Sequence, residues 1–142
     1  MTAEIPAVTR TVRAVWQGGY RCEVISRQHH IVVDEPLEVG GTDAGPGPTD
    51  LLLASLGSCF TLAVGHVAAK RGIAVGAIEV TVTGTYEGPS FRDLAIDVYL
   101  DAPEDRIDEL LRRAQAVCYV SNTLARGPSL QVRRSFVPPA QP

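Results

Sequence analysis

Two cysteines stand in settings where a thiol could do chemistry. Cys59 lies in DLLLASLGSCFTLAV, a stretch that is apolar almost throughout, and Cys118 lies in AVCYVSNTL, which is more polar and follows a helical pattern. Most free cysteines simply pack in a core, and that interpretation stays open for both residues. A buried thiol and a more mobile one also suit a dithiol redox cycle, in which a sulfenic acid on one sulfur condenses with the other.

The residues just before Cys59 favour the reactive interpretation. Gly57 and Ser58 lie within one turn of the thiol, and glycine inside a helix is less stable than alanine by roughly 1 kcal/mol. Such a glycine indicates that another segment or a substrate approaches closely. A thiol in apolar surroundings resists ionisation, and the middle of a helix gains little from the helix dipole. A reactive Cys59 therefore requires a cation nearby.

The third cysteine and the histidines point to no further chemistry. Cys22 lies on a predicted strand, where we expect it to pack. Cys59 and His66 are seven residues apart and share a helix face, but about 10 Å separates them along the axis. One zinc ion cannot bind both without distortion, so we predict no metal site, and nothing in the sequence calls for a cofactor.

Composition narrows the class of protein. The chain has 142 residues, 45% hydrophobic and 20% charged, which is typical of one globular domain, predicted over residues 1–142. A net charge of −3 with scattered basic residues argues against a nucleic-acid surface. The apolar run 51–69 is interrupted by polar residues, so we expect a buried helix rather than a membrane span. The sequence shows neither a secretion signal nor a disulfide framework, and a cytoplasmic protein is predicted.

The elements that must position the thiols come in blocks. In chain order, the patterns predict strands Val8–Trp16, Tyr20–Ser26 and His30–Asp34, a long Gly- and Pro-rich loop, a helix from an N-cap at Thr49 to a stop at Gly72, strands Ile78–Tyr86 and Phe91–Leu100, a helix after an N-cap at Asp101, a short helix at Ser121–Leu124, and a strand Ser129–Phe136. This order, βββ-α-ββ-αα-β, indicates an α+β fold with antiparallel sheets. The first helix is apolar on nearly every face, and a second subunit is the simplest cover, so we predict a homodimer.

The two cysteine stretches resemble a known pair of motifs. GPTDLLLASLGSCFTLAV is similar to the first motif of the family of osmotically inducible protein C and the organic hydroperoxide resistance proteins, and AVCYVSNTL is similar to the second, commonly VCPxSN, with Tyr119 in place of the proline. The order of elements matches as well, so the likeness covers most of the chain. It implies an intertwined homodimer with long central helices, two sites at the subunit interface, and thiol-dependent reduction of organic hydroperoxides.

The resemblance also implies a role for individual residues. Cys59 takes the position of the peroxidatic cysteine and Cys118 that of the resolving one, and an external dithiol of lipoyl or thioredoxin type would reduce the resulting disulfide. The family uses an arginine held by a carboxylate. Arg21 matches that arginine, with Arg27 in reserve, and Asp50 stands where peroxidase members carry glutamate. Arg21 also fits a solvated strand residue, and Asp50 an ordinary charge at a helix start.

The apolar residues around Cys59 favour a hydrophobic substrate. They are Leu51–Leu53, Leu56, Phe60 and Leu62. Two other functions remain open. One is a redox-inert family member that binds a small apolar ligand at the dimer interface, and the other is a structural module in which both cysteines only pack.

Overall fold

The chain divides into two compact units, Met1–Ser55 and Leu56–Pro142, with the division inside the first helix. A computed structural model describes residues 5–136. The elements, in chain order, are β1 Arg13–Gly18, β2 Arg21–Ser26, β3 His29–Val33, a short 3-10 helix Leu37–Val39, α1 Pro48–Arg71, β4 Ile78–Glu87, β5 Ser90–Leu100, α2 Glu104–Val117 and α3 Tyr119–Arg126. The α+β class is confirmed, and the single domain expected over the whole chain stays a prediction.

The N-terminal unit holds an antiparallel sheet in the order β1-β2-β3. Gly18 and Gly19 form the first turn with φ of +101° and +53°, a backbone conformation that favours glycine. The predicted strand from Val8 was too long at its start. Arg13 pairs with Ile25, next to the last residue of β2, so the residues before Arg13 have no opposite strand to pair with.

One buried carboxylate holds the loop after β3. Asp34 is only 1% exposed and accepts hydrogen bonds from the hydroxyl and N–H of Thr42 and from the N–H groups of Glu35 and Ala44. The Thr42 hydroxyl, aided by these N–H groups, lowers the pKa of the Asp34 carboxyl, although burial acts in the opposite direction. The loop is thus tied to the end of β3 by an ionised side chain.

Helix α1 begins two residues earlier than an N-cap at Thr49 implies. It starts at Pro48, so Thr49 lies inside the first turn and is not the N-cap. Proline suits a first helical position because its missing N–H needs no partner there. The Asp50 carboxylate accepts the N–H of Gly47 at 2.9 Å, reaching back across the first turn as in a capping box. At the other end Gly72 has φ of +62°, and the predicted stop is confirmed.

The core of the C-terminal unit lies along one side of α1. Its centre is formed by Val64, Leu110 and Ala114, all with no exposed area, and Leu100 closes it at the end of β5. By length and composition α1 would also suit a membrane span. Its packing against α2 and the β4–β5 hairpin is instead that of a core helix.

The β4–β5 hairpin packs its apolar face on this core. Alternate side chains of both strands, Ile78, Val80, Ile96 and Val98, are partly buried against it. A Cβ on Gly57 would lie 3.2 Å from a methyl group of Val82. The sequence predicted that some segment approaches this glycine closely, and that segment is β4.

Asp101 continues the hairpin instead of capping α2. Its N–H donates to the carbonyl of Ala77 and its carbonyl accepts the N–H of Gly76, each at 2.9 Å. Pro103 occupies the N-cap position, and α2 begins at Glu104. One face of α2 is apolar and packs on the core, where Leu110 is fully buried and Ile107 lies beside it.

The final strand predicted at Ser129–Phe136 is absent from the described part of the chain. These residues follow α3 without regular structure. Leu130 and Val132 are 91% and 94% exposed, so the alternating pattern buries nothing within this chain. A strand forms only where a neighbour accepts and donates its backbone hydrogen bonds, and here no strand pairs with the segment.

Candidate active site

Cys118 occupies the joint between two helices. Helix α2 ends at Val117 and α3 starts at Tyr119, and Cys118 between them has an extended backbone with φ −76° and ψ 107°. It is therefore the N-cap of α3, the position whose side chain faces the unpaired N–H groups of the first turn. Its side chain has no exposed area.

The first turn of α3 lowers the pKa of the Cys118 thiol. Burial raises the pKa of this thiol, but hydrogen bonds from the hydroxyl and N–H of Ser121, from the Cys59 thiol and from the N–H of Val120 outweigh it, and the net pKa is lowered. The Ser121 hydroxyl also lies 3.2 Å from the Cys118 carbonyl oxygen. The Ser121 hydroxyl has only one proton to donate. A thiolate at Cys118 would accept that proton more strongly than the neutral carbonyl oxygen does, because it carries a charge.

The second thiol of the pair comes from α1. Cys59 is half-buried, packs against the core of the C-terminal unit, and is a hydrogen-bond partner of the Cys118 sulfur. Both cysteines are unoxidised. The fold therefore brings together two thiols that are 59 residues apart in the sequence, one fully buried and one open to small molecules on part of its surface.

The apolar residues predicted around Cys59 differ in burial. Leu56 and Phe60 are buried, whereas Leu62 is 73% exposed. Some of the apolar residues expected to line the Cys59 site are therefore buried in the core, and at least Leu62 lies on the surface of the single chain.

Arg21 and Asp50 do not form the predicted ion pair with each other. Arg21 is an exposed residue at the start of β2, opposite Gly18, and within residues 5–136 neither it nor Asp50 takes part in an ion pair. The Asp50 carboxylate instead binds the N–H of Gly47 at the start of α1. Arg27 lies in the β2–β3 turn with φ of +54°. The catalytic roles of Arg21 and Asp50 stay predictions.

The remaining candidates lie elsewhere. Cys22 is on β2, opposite Trp16 and Val33. His66 is exposed on α1. Across residues 5–136 no three His, Cys, Asp or Glu side chains are grouped so that they could hold a metal ion.

Ser121 is the residue that sequence reasoning missed. It is the third residue after Cys118, the spacing at which an N-cap side chain meets the N–H and side chain of the first helical turn. Reading Cys118 as a helix N-cap would have found it. The sequence pattern instead indicated a helix over Ser121–Leu124 only, so Cys118 appeared to lie in a loop.

The chain is similar to one family model and to several proteins of known structure. A family model described as OsmC-like protein matches residues 41–133. An OsmC-like protein from Mycoplasma pneumoniae is similar, with 23% identity, a TM-score of 0.75, and coverage of 83% of this chain and 88% of that one. An organic hydroperoxide resistance protein OsmC from Legionella pneumophila is 24% identical with a TM-score of 0.63, covering 85% and 93%.

A third structure has somewhat higher identity. An organic hydroperoxide resistance protein from Elizabethkingia anophelis is 27% identical with a TM-score of 0.62, covering 84% of this chain and 91% of that one. No curated protein sequence matches the chain.

Proposed function

Because the chain belongs to the OsmC-like protein family, we propose that it is a cysteine-based peroxidase that reduces organic hydroperoxides to alcohols. The observation that carries the proposal is the hydrogen-bonded pair of Cys59 and Cys118, in which the pKa of Cys118 is lowered. The names of two similar proteins as organic hydroperoxide resistance proteins support the substrate class.

The first step is attack by Cys59 on the peroxide. In the thiolate form, which its lowered pKa favours, Cys118 accepts the proton of its hydrogen-bond partner Cys59 as the Cys59 sulfur approaches the peroxide oxygen. The sulfur–oxygen bond forms and the oxygen–oxygen bond breaks. The alkoxide that leaves takes the proton back from Cys118 and departs as the alcohol. Cys59 becomes a sulfenic acid and Cys118 is again a thiolate.

The second step joins the two sulfurs. The Cys118 thiolate attacks the sulfenic sulfur of Cys59, and the hydroxide that leaves takes a proton from solvent and becomes water. The product is a Cys59–Cys118 disulfide. Over both steps the peroxide is reduced by two electrons, and the two cysteines are oxidised by the same number.

The third step is reduction by an external dithiol, for which we propose the lipoyl or thioredoxin type. Cys118 is buried and Cys59 is half-buried, so the reductant reaches the sulfur of Cys59 first. Cys118 then leaves as a thiolate, and the same hydrogen bonds from the first turn of α3 stabilise that leaving group. A thiol of low pKa is the better leaving group in such an exchange.

We further propose that Arg21 assists Cys59 and that the protein is a homodimer. Apolar area on α1 supports the dimer, since Leu62 is 73% exposed in the single chain. The carboxylate role of Asp50 is the weaker part of the proposal, because Asp50 already binds the N–H of Gly47.

Stopped-flow mixing of the reduced protein with cumene hydroperoxide tests the function. We expect one thiol pair to be lost per peroxide with a Cys59–Cys118 disulfide as product. Cys59→Ser should abolish the fast reaction, and the control Cys22→Ser should react like the parent. Cys118→Ser should react more slowly, because the acceptor of the Cys59 proton is lost, and should stop at the sulfenic acid. In the Cys118→Ser variant, a monothiol added after the peroxide should be trapped on Cys59 as a mixed disulfide, whereas a dithiol should return Cys59 to the free thiol through its own second sulfur.

Two results would contradict the proposal. A parent protein that reacts with the peroxide no faster than free cysteine would favour the redox-inert protein that binds an apolar ligand. Equal rates for the parent and Cys59→Ser would assign any reaction to another group.

A further inference from the structure

A cleft beside the C-terminal half of α1 is lined by basic side chains. Its volume is about 620 Å³, and its basic lining consists of His66, Lys70, Arg71, Arg106 and Arg113. Among residues 5–136 no carboxylate lines it, although the whole chain has a net charge of −3. Four of the 13 lysines and arginines thus face one concavity. A concavity lined by one sign of charge concentrates ions of the opposite sign.

One carboxylate holds three of these arginines. Glu109 lies 3.0 Å from Arg71, 3.0 Å from Arg113 and 3.1 Å from Arg106. The hydrogen bond from Arg113, followed by that from Arg106, lowers the pKa of Glu109 against the effect of burial. Glu109 is therefore ionised at neutral pH, and its single charge offsets one of three guanidiniums.

A structural role explains only part of this cluster. The pair of Arg71 and Glu109 joins α1 to α2, and one such pair is sufficient for that purpose. Arg106 and Arg113 lie three and four residues from Glu109 on the same helix, where such pairs stabilise a helix only slightly. The surplus of positive charge in the cleft is left without a structural explanation.

The arginines are positioned to bind an acid group. Glu109 engages Nη1 of Arg71 and Nε of Arg113, and each guanidinium has five N–H donors. Most of these donors are not used by Glu109. Because the side chains are already held, they lose less conformational entropy when they bind a ligand. The planar guanidinium matches the two oxygens of a carboxylate or phosphate.

We propose that this cleft binds an amphipathic organic acid, with its carboxylate or phosphate on the arginines and its apolar part on Val67, Ala116 and Val117. These three apolar residues line the same cleft. Val117 is 46% exposed and offers an apolar surface that an inorganic anion would leave uncovered. The cleft reaches Val117, which precedes Cys118 in the chain, but its arginines take no part in the proposed peroxidase reaction, so its test measures binding and not turnover.

Titration calorimetry of the reduced full-length protein tests the site with four probes: octanoate, octyl phosphate, octanol and inorganic phosphate. We expect one or both octyl acids to bind, octanol not to bind, and inorganic phosphate to bind more weakly than octyl phosphate. Whichever acid binds more tightly identifies the head group. Raising the salt concentration should weaken binding.

Substitutions locate the binding. The double variant Arg106→Gln/Arg113→Gln should lose affinity by about tenfold or more, because hydrogen bonds between ions are strong. Arg112→Gln, on the same helix but outside the cleft, is the matched control. Glu109→Gln removes the competing charge but keeps an amide oxygen that can still accept a guanidinium N–H, so it should tighten binding by roughly threefold. A merely structural cluster would not produce tighter binding on losing its carboxylate.

The proposal fails if octanol binds as well as the acids, or if Arg112→Gln weakens binding as much as the double variant. Equal affinity for inorganic phosphate and octyl phosphate would show that the apolar part of the ligand makes no contact with the cleft. If the double variant does not fold, as judged by thermal unfolding, Lys70→Gln and Glu109→Gln still decide, because they change the affinity in opposite directions.

Discussion

At the scale of single residues, hydrogen bonds from a helix start lower the pKa of the buried Cys118 thiol. Sequence reasoning sought a cation for a thiol in apolar surroundings, and it proposed Arg21. That proposal concerns Cys59 and stays a prediction. For the fully buried Cys118, burial raises the pKa, and hydrogen bonds from Ser121, Cys59 and Val120 lower it on balance. A lowered pKa helps Cys118 in two steps of the proposed cycle. Cys118 attacks as a thiolate when the disulfide forms, and it leaves as a thiolate when the disulfide is reduced.

Ser121→Ala removes the side-chain donor to that sulfur. We expect the pKa of Cys118 to rise toward that of an ordinary thiol, because burial then acts against fewer hydrogen bonds. The thiolate absorbance as a function of pH should show this in a Cys22→Ser/Cys59→Ser background, in which Cys118 is the only thiol. In the Cys22→Ser background the pH profile of disulfide formation should move to higher pH.

Ser90→Ala is the matched control, since the Ser90 hydroxyl bonds the carbonyl of Glu87 at the tip of a hairpin. It should leave both profiles unchanged. An unchanged thiolate titration in Ser121→Ala would show that the backbone N–H groups alone hold the charge.

Asp34 gives the N-terminal unit a pH-dependent stability. Its folded pKa is lowered below the unfolded value of about 3.9, so its contribution is complete above that value and is lost as the pH falls through the folded pKa. Asp34→Asn should therefore lower the urea midpoint at neutral pH, and the difference from the parent should shrink in acid. Asp43→Asn, an exposed position in the same loop, is the control. A difference that stays constant down to the acid limit would contradict this account.

At the scale of elements, most of the fold could be predicted from the sequence. Alternation and turn residues located the hairpins, and the long apolar run between Pro48 and Gly72 located α1. The ends of helices and strands were less well predicted, because hydrogen bonds to distant backbone groups overrule the local preference of a residue. Asp101 is a good N-cap residue, but its backbone pairs with Gly76 and Ala77.

The thiol pair was predictable in part. The positions of Cys59 and Cys118 followed from their two motifs, and the structure brings the side chains together. The function of Ser121 was not predictable in the same way, because it depends on where α3 begins. The strand expected at Ser129–Phe136 has the right alternation, yet alternation cannot show whether a neighbouring strand exists.

Two glycines of α1 test how closely β4 approaches the helix. A Cβ on Gly65 would lie 3.7 Å from Ile78, an ordinary contact, so Gly65→Ala should stabilise by roughly 0.5–1 kcal/mol through helix propensity. A Cβ on Gly57 would lie 3.2 Å from a methyl group of Val82, which is closer than an ordinary contact. The branched side chain of Val82 is stiff and cannot easily move away. Gly57→Ala should therefore gain little or lose stability.

Urea unfolding at one protein concentration measures the two changes. Each variant is the control for the other, because the substitution, the helix and the loss of backbone freedom are the same. Equal gains for both variants would mean that β4 does not restrict the helix at Gly57.

At the scale of the whole molecule, α1 leaves apolar area uncovered in a single chain. Leu62 is 73% exposed, and apolar groups gain roughly 25 cal/mol for each Å² removed from water. A second copy provides this cover without any further element. We therefore expect sedimentation to give a mass near twice the 15.2 kDa of one chain.

Leu62→Glu places a charge on that surface and should shift the protein toward the monomer, because a carboxylate cannot be buried there without a partner. Tyr99→Glu is the matched control. Tyr99 is 65% exposed on β5 and alternates with Val98 and Leu100, which face the core, so it lies on the opposite side of the hairpin from α1. A mass that falls equally for both variants, or that equals one chain for the parent, would rule out a dimer built on α1.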